Sequence, residues 1–216
     1  ITIPGLFFAD DMVVVSESEE GLNRLLGLVG DYGVKWKFKL NGRKSKVLTT
    51  HRTKNMGNKW SVNQEWLVEG DDQEVIIAED DDYKYLGIQV QARGRVFGKH
   101  WKFMVQKAKM MEGMVYRESG RTRDRCYFGK VLWETVAIPT FLYGVEVALI
   151  PESLILELEK IQNRVGRWLL GGKRWSASES VLGELGWIRI RDRIVRAKAE
   201  FFTHVVKVGD ERGDRS

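Results

Sequence analysis

Hydrophobic and polar residues follow two different periods along this chain, and the change falls near residue 98. Before it, short apolar runs separated by turn residues predict strands and one helix. After it, apolar residues recur every three or four positions, as on the buried face of a helix. The pattern predicts an α+β fold, in which residues 1–98 form a partial antiparallel sheet with a packed helix. Residues 99–208 are then all helical, and residues 209–216 form a polar tail.

The first predicted strands surround a pair of acids. Two apolar runs, residues 5–9 and 12–15, flank Asp10 and Asp11, which predicts a hairpin with both carboxylates at its turn. Because side-chain alternation breaks at a turn, adjacent carboxylates there can approach one hard cation such as Mg²⁺. Aspartate is also an ordinary turn residue, and the spacing alone favours that plainer interpretation.

The next segments predict a helix, further strands and two turns. Residues 16–19 read Ser-Glu-Ser-Glu, a capping box, so a helix is expected over residues 17–32, packed on the hairpin and ended by Gly33. Residues 35–40 alternate with a period of two, which predicts a strand that buries Trp36. A turn at residues 41–46 leads into another strand. Further strands are predicted at residues 66–68, 75–77 and 83–90, with residues 79–82 as an acidic connector.

The helical half is punctuated by glycine and proline. Helices are predicted over residues 99–116 and 123–137, the second stopped by Ile138-Pro139. Further helices carry residues 141–145, run from residue 151 to the glycines at 171–172, and cover residues 178–187. A last helix starts near Asp192.

Charge is distributed unevenly between the halves. Residues 1–98 carry 13 Lys and Arg against 15 Asp and Glu, whereas residues 99–216 carry 22 against 15. This excess suits a polyanion, although a solvated helical surface more commonly explains it. Five basic residues stand out as possible nucleic-acid contacts: Lys99, Lys102 and Lys109 on one helix face, and Lys173 and Arg174 beside Trp175. Solvated or helix-terminal cations would produce the same pattern.

Cysteine and hydropathy restrict the setting of the protein. One cysteine, Cys126, excludes an intramolecular disulfide, and three scattered histidines give no zinc-ligand spacing. No apolar run is long enough to cross a membrane, and no signal-like segment opens the chain. We therefore expect a reducing, intracellular location, cytoplasmic or nuclear, and no membrane partner.

Four blocks in order resemble a known family. Phe8-Ala9-Asp10-Asp11 resembles the (Tyr/Phe)-x-Asp-Asp block of reverse transcriptases of the non-LTR retrotransposon type. Asn41-Gly42-Arg43-Lys44-Ser45 resembles the family's fourth palm motif, and Tyr85-Leu86-Gly87 its primer-grip motif. Residues 142–146 and 158–164 resemble segments that follow the palm, and residues 178–187 resemble the pattern beyond the thumb. The likeness extends over residues 6–208.

The resemblance implies the C-terminal portion of a palm followed by a thumb and its extension. The implied activity is RNA-directed DNA synthesis, with an RNA template, a DNA primer, deoxynucleotide triphosphates and two Mg²⁺ ions. It makes Asp10 and Asp11 metal ligands and Lys44 the group that assists the leaving pyrophosphate. Tyr85, Leu86 and Gly87 would contact the primer, since Gly87 lacks a Cβ that could obstruct a nucleic-acid backbone.

A complete site of this family takes another carboxylate and its nucleotide pocket from a segment upstream of the Asp-Asp hairpin. Since this chain starts at Ile1, we expect little or no polymerase activity alone, together with an exposed sheet edge and poor solubility. Two alternatives stay open. One is an inactive remnant that at most binds nucleic acid. The other is an unrelated Mg²⁺-dependent phosphotransfer enzyme or structural α+β domain, in which residues 41–46 and 85–87 lie far from the acids.

Overall fold

The structure, a computed structural model, describes residues 5–38, 40–41, 44–49, 60–63, 74–80 and 82–213, with backbone alone for 60–63, 74–80 and 209–213. The chain is α+β and mostly helical. It divides into two compact units. Unit 1 comprises residues 1–83 and 91–94, and unit 2 comprises residues 84–90 and 95–216. None of the helices in these described ranges is long and apolar enough to cross a membrane.

Unit 1 starts with the predicted hairpin. Strands β1 (Gly5–Phe8) and β2 (Asp11–Val14) pair antiparallel, with Phe8 opposite Asp11. Ala9 and Asp10 form a two-residue turn, and Ala9 has a positive φ of 53°. The hairpin is a sheet of its own, and it exposes Leu6, Phe7 and Phe8.

Helix α1 (Glu19–Trp36) is longer than the pattern predicts. The Ser18 hydroxyl accepts a hydrogen bond from the Gly21 N–H at 3.1 Å, which caps the helix start. The predicted end at Gly33 is wrong, because this residue is buried inside the helix, on a face that also buries Leu26. Packing of that face offsets the roughly 1 kcal/mol that an internal glycine costs. The predicted strand at 35–40 is therefore also wrong, and Trp36 is 62% exposed as the last helical residue.

A second sheet contains β3 (Lys46–Leu48), β4 (Trp60–Asn63) and β5 (Glu74–Asp80). Strand β5 lies in the middle, parallel to β3 and antiparallel to β4. The expected single antiparallel sheet built on the hairpin is thus wrong. Helix α1 contacts β4, and its Leu26 packs with Val47 of β3, so this second sheet, rather than the hairpin, receives its buried face.

Two further strand predictions in unit 1 have different outcomes. Residues 75–77 lie in β5 as expected, but β5 continues into the acids at 79 and 80, where Leu48 pairs with Asp80. The acidic connector is therefore wrong, because backbone pairing does not depend on side-chain polarity. The strand predicted at residues 66–68, and Lys39 within the rejected strand at 35–40, lie outside the described residues.

Residues 83–90 form a hairpin instead of the predicted single strand. Strands β6 (Asp82–Tyr85) and β7 (Ile88–Gln91) pair as a two-stranded sheet. The connecting residues Leu86 and Gly87 have φ values of 46° and 85°. Positive φ at both positions is the requirement of a type I′ turn, which joins antiparallel strands in two residues.

Unit 2 is built from helices around one core. They are α2 (Gly98–Ser119), α3 (Arg125–Leu132), α4 (Ile138–Phe141), α5 (Glu152–Leu170), α6 (Ser178–Leu185) and α7 (Ile190–Gly213). The apolar stripes predicted for α2 and α5 are buried, with Met104, Ala108 and Val115 meeting Leu158, Ile161 and Val165 in the same cluster. The helices predicted at 99–116, 151–171 and 178–187 are confirmed within a few residues.

Proline 139 does not stop its helix. A π-helical turn (Trp133–Ala137) joins α3 to α4, and the Ile138 N–H bonds to the Trp133 carbonyl five residues back. This wider turn makes room for the proline ring, which would otherwise meet the carbonyl of the preceding turn. The helix expected over residues 141–145 is wrong, since α4 ends at Phe141 and Gly144 adopts a positive φ of 80°. Helix α7 also continues through residues 209–213, which the sequence assigned to the tail.

Candidate functional site

The two acids sit on the exposed tip of the β1–β2 hairpin. Asp10 is the second turn residue and Asp11 the first residue of β2, and both side chains are exposed. Only Ala9 of the turn pair has a positive φ, a position where glycine is the usual choice. The left-handed conformation costs a residue with a Cβ roughly 1–2 kcal/mol. Backbone strain of this kind is characteristic of functional sites, and here it adjoins both carboxylates.

Lys44 is presented by the turn that precedes β3. The Asn41 side-chain oxygen accepts a hydrogen bond from the Lys44 N–H at 3.2 Å. The Asn41 carbonyl also accepts from the N–H groups of Lys44 at 3.0 Å and Ser45 at 2.9 Å. The predicted turn is confirmed, and the Lys44 side chain is exposed. Within the described residues, no ion pair joins Lys44 to Asp10 or Asp11.

The Asp10 and Asp11 carboxylates are chemically suited to bind a hard cation, but two carboxylates are few for a metal site. Exposed Asp oxygens are suitable ligands for Mg²⁺, which retains several waters when one or two carboxylates bind it. In the ranges that the structure describes, no group of three His, Cys, Asp or Glu side chains is arranged to hold a metal ion. Asp10 and Asp11 thus supply two carboxylate ligands. The site for two Mg²⁺ ions that the resemblance implies needs further oxygen ligands.

Two residues outside the predicted site, Tyr143 and Gly144, pack against the β6–β7 hairpin. The Tyr143 hydroxyl donates to the Leu86 carbonyl at 2.8 Å. A Cβ on Gly87 would lie 2.8 Å from Tyr143 Cε1, and one on Gly144 would lie 2.8 Å from Ile88 Cγ1. The space beside Gly87 is therefore occupied by the Tyr143 ring, and is not free for a nucleic-acid backbone. In the sequence, the Tyr-Gly pair within residues 142–146 is the feature that indicates this contact with the β6–β7 hairpin.

His100, in the first turn of α2, packs behind the same hairpin. Its ring is 1% exposed, and Nδ1 accepts a hydrogen bond from the Gln89 N–H at 3.5 Å. Burial lowers the pKa of His100 and nearby Lys107 adds to the effect, while a hydrogen bond with the Tyr143 backbone opposes it. The neutral imidazole therefore belongs to the folded state, and it joins α2 to strand β7.

The lowered pKa predicts that unit 2 loses stability on acidification. Because the unfolded histidine titrates near pH 6.5 and the folded one at lower pH, the unfolded state binds more protons below pH 6.5. The free energy of unfolding should fall from pH 7 to pH 5, with a slope of at most about 1.4 kcal/mol per pH unit from this group. Urea unfolding at several pH values measures it.

A matched pair of histidine variants isolates this group. His100→Gln should flatten the pH dependence below pH 6.5, whereas His204→Gln should leave it unchanged, since His204 is exposed on α7. Equal slopes in the two variants would show that carboxylates, and not the buried imidazole, cause the acid sensitivity.

The predicted basic residues of unit 2 separate into two groups. Lys99, Lys102 and Lys109 are exposed along α2. Lys109 Nζ lies 3.2 Å from a carboxylate oxygen of Glu157 on α5, so this lysine already has a partner within the fold. Lys173 and Arg174 are exposed directly after α5, beyond its left-handed C-cap at Gly171.

The structure therefore distributes the predicted site residues over both units. Asp10, Asp11 and Lys44 belong to unit 1 and are all exposed, with Asp10 and Lys44 on turns and Asp11 at the start of β2. Tyr85, Leu86 and Gly87 belong to unit 2 with all five basic residues. Comparisons of this chain with protein-family models, with curated proteins and with solved structures found no match.

Proposed function

We propose that this chain is the C-terminal palm portion and the thumb of a reverse transcriptase of the non-LTR retrotransposon type. In this proposal unit 1 contributes to the palm and unit 2 is the thumb with its extension. The observation that carries the proposal is the hairpin tip, where a strained turn exposes the consecutive residues Asp10 and Asp11 to solvent. The ordered resemblance of the Lys44 and Tyr85-Leu86-Gly87 segments supports it.

The residues divide the work of a phosphoryl transfer as follows. Asp10 and Asp11 would hold Mg²⁺, which when bound neutralises the phosphate charge and lowers the pKa of the attacking hydroxyl. Lys44 carries a compact ammonium group without an ion-pair partner among the described residues, so it is available to neutralise or protonate the departing pyrophosphate. Tyr85 and Leu86 of the β6–β7 hairpin would position the primer strand, since the Tyr143 hydroxyl fixes the Leu86 carbonyl, and Gly87 is left out because the Tyr143 ring fills the space beside it.

A non-catalytic nucleic-acid-binding remnant is the second candidate. The observation that favours it is the lack, among the described residues, of a third acidic ligand near Asp10 and Asp11. Both candidates share a basic helical unit that contacts nucleic acid. They differ in whether the hairpin tip binds a divalent cation.

Paramagnetic broadening by Mn²⁺ tests the cation site directly. We expect millimolar Mn²⁺ to broaden the backbone amide NMR signals of residues 9–11 first, because two exposed carboxylates bind a hard cation weakly but locally. Asp10→Asn together with Asp11→Asn should abolish this broadening. As a matched control, Asp71→Asn with Asp72→Asn removes another adjacent pair of acids and should leave the hairpin signals as sensitive as before. Hairpin signals that stay sharp in the unsubstituted chain would reject the polymerase proposal.

Primer extension on an RNA template gives the catalytic counterpart. With Mg²⁺ and all four deoxynucleotides, we expect no extension above background by this chain alone, because its described residues bring only two carboxylates to the hairpin tip. Extension that Asp10→Asn abolishes would contradict this expectation, and it would show that the chain holds a complete site.

A further inference from the structure

The end of α2, the start of α3 and the end of α5 lie close together at one end of unit 2. A Cβ on Gly120, which follows α2, would lie 3.8 Å from Trp168 Cη2 near the end of α5. A Cβ on Gly171, the C-cap of α5, would lie 3.3 Å from Arg125 Nη2 at the start of α3. The segment after α5 is therefore adjacent to the segment that joins α2 to α3.

This end carries cations that lack carboxylate partners. Arg123, Arg125, Lys173 and Arg174 form no ion pair in the part of the chain that the structure describes. Arg125 instead stacks over the Trp168 ring, with its guanidinium carbon 4.8 Å from the ring centroid.

The nearby acids are already engaged. Glu118 accepts from Arg117 at 2.6 Å, and the Asp124 side chain accepts from the Tyr127 N–H at 2.9 Å to cap α3. The four cations therefore keep an uncompensated positive charge, and Arg123, Lys173 and Arg174 are exposed to solvent while Arg125 is half-buried.

An unusually exposed aromatic ring stands among these cations. Trp175 is 80% exposed, the highest value among the large apolar side chains that the structure describes. Its ring lies 5.4 Å from the Lys173 ammonium. Tyr127, on the first turn of α3, is also 69% exposed. Leaving a whole indole in water forgoes the stabilisation that its burial would give, so this surface suits a ligand that covers the ring.

We propose that Arg123, Arg125, Lys173, Arg174 and Trp175, here called the Trp175 patch, bind single-stranded RNA. Cations without partners attract phosphates, and an exposed indole stacks on an unpaired base of any identity. A duplex offers phosphates but keeps its bases stacked on one another, so it cannot use the ring. The aromatic and the cationic features together favour an unpaired strand.

The Trp175 patch is separate from the β6–β7 turn. His100 in the first turn of α2 contacts β7, whereas the Trp175 patch adjoins the residues after Ser119, the last residue of α2. At 1.5 Å per residue, the 22 residues of α2 span about 33 Å. The patch is thus a second proposed nucleic-acid contact, about one helix length from the proposed primer contact on the β6–β7 hairpin. The choice of RNA over DNA rests on the proposed function, while the choice of an unpaired strand rests on the patch alone.

Fluorescence anisotropy with a labelled 20-nucleotide oligouridine tests the proposal on the full chain. Trp175→Ala should weaken binding by about 5- to 140-fold, the range expected for losing one stacked base. Phe202→Ala removes an aromatic ring with 69% exposure on α7 and should change the affinity less than twofold. The same Trp175→Ala substitution should leave the affinity for duplex RNA nearly unaltered.

Salt dependence tests the cationic part. Lys173→Ala with Arg174→Ala should reduce the slope of log affinity against log salt by about 1.4, since each phosphate contact contributes about 0.7 for a single strand. Lys160→Ala with Lys207→Ala lowers the net charge equally at exposed sites outside the patch, and should change the slope far less.

Several results would overturn the inference. Equal affinity of Trp175→Ala and the unsubstituted chain for oligouridine would do so, as would a Trp175 effect of the same size on duplex RNA. If the chain binds vesicles containing anionic phospholipid more tightly than oligouridine, the Trp175 patch binds a membrane surface instead of RNA. Because Asp10→Asn with Asp11→Asn leaves the patch untouched, loss of Mn²⁺ broadening without loss of oligouridine binding separates the two proposals.

Discussion

Replacement of Trp133 by alanine is expected to destabilise unit 2 by about 3–5 kcal/mol, the usual cost of deleting a buried aromatic ring. Trp133 is 0% exposed, and its ring lies 5.6 Å from that of Phe141 and 5.8 Å from that of Trp187. Its Nε1–H donates to Gln162 Oε1 at 3.4 Å. The substitution therefore removes packing on two sides and leaves a buried amide oxygen without this donor.

Urea unfolding followed by far-ultraviolet circular dichroism measures the loss. Trp175→Ala is the matched control, and it should cost less than about 0.5 kcal/mol because the ring is exposed. Trp133→Phe should fall between the two, since it keeps most of the ring volume but loses the hydrogen bond. Similar unfolding midpoints for Trp133→Ala and Trp175→Ala would show that the core is not packed around Trp133.

The helical half could be predicted best, because its periodic signal is long. Helices α2 and α5 extend over 22 and 19 residues, so many apolar positions agree on one buried face. Helix ends are predicted less well in both halves of the chain, where a single glycine or proline predicts a stop. Gly33 and Pro139 both continue their helices, since buried packing offsets the glycine and a π-helical turn accommodates the proline. Neither the packing around the glycine nor the π-helical turn before the proline can be predicted from a local sequence pattern.

The candidate site shows the same division. The Asp10-Asp11 hairpin and the Asn41 turn follow from local chemistry, and the sequence predicted both. The β6–β7 turn at Leu86-Gly87 was missed, because leucine with a positive φ is rare enough to be excluded by default. The bond from Tyr143 to Leu86 connects residues 57 positions apart, and no pattern within one segment indicates it. The sequence predicts a role for the segment that carries Trp175, but Arg125, which adjoins Gly171 of this segment, lies 46 positions before Gly171 and is brought close only by packing.

Gly129 is the residue on which the arrangement of the Trp175 patch depends most. It is buried in α3, and a Cβ there would collide with Leu169 of α5 and lie 2.9 Å from Ser119 Oγ of α2. Leu169 is itself buried in the core, so it has little freedom to withdraw. A larger side chain must push α3 away from both helices, and α3 carries Arg125 at its first position.

We expect Gly129→Val to destabilise unit 2 by about 3 kcal/mol, at the upper end of the range for overpacking. It should also weaken oligouridine binding, because α3 moves away from the segment after α5. Gly113→Ala is the opposite control, since no atom lies within 4 Å of its added Cβ in α2, and it should stabilise the helix by about 0.5–1 kcal/mol. Urea unfolding and anisotropy on both variants measure these effects. If Gly129→Val unfolds at the same urea concentration as the unsubstituted chain, close packing at Gly129 does not fix α3 against α2 and α5.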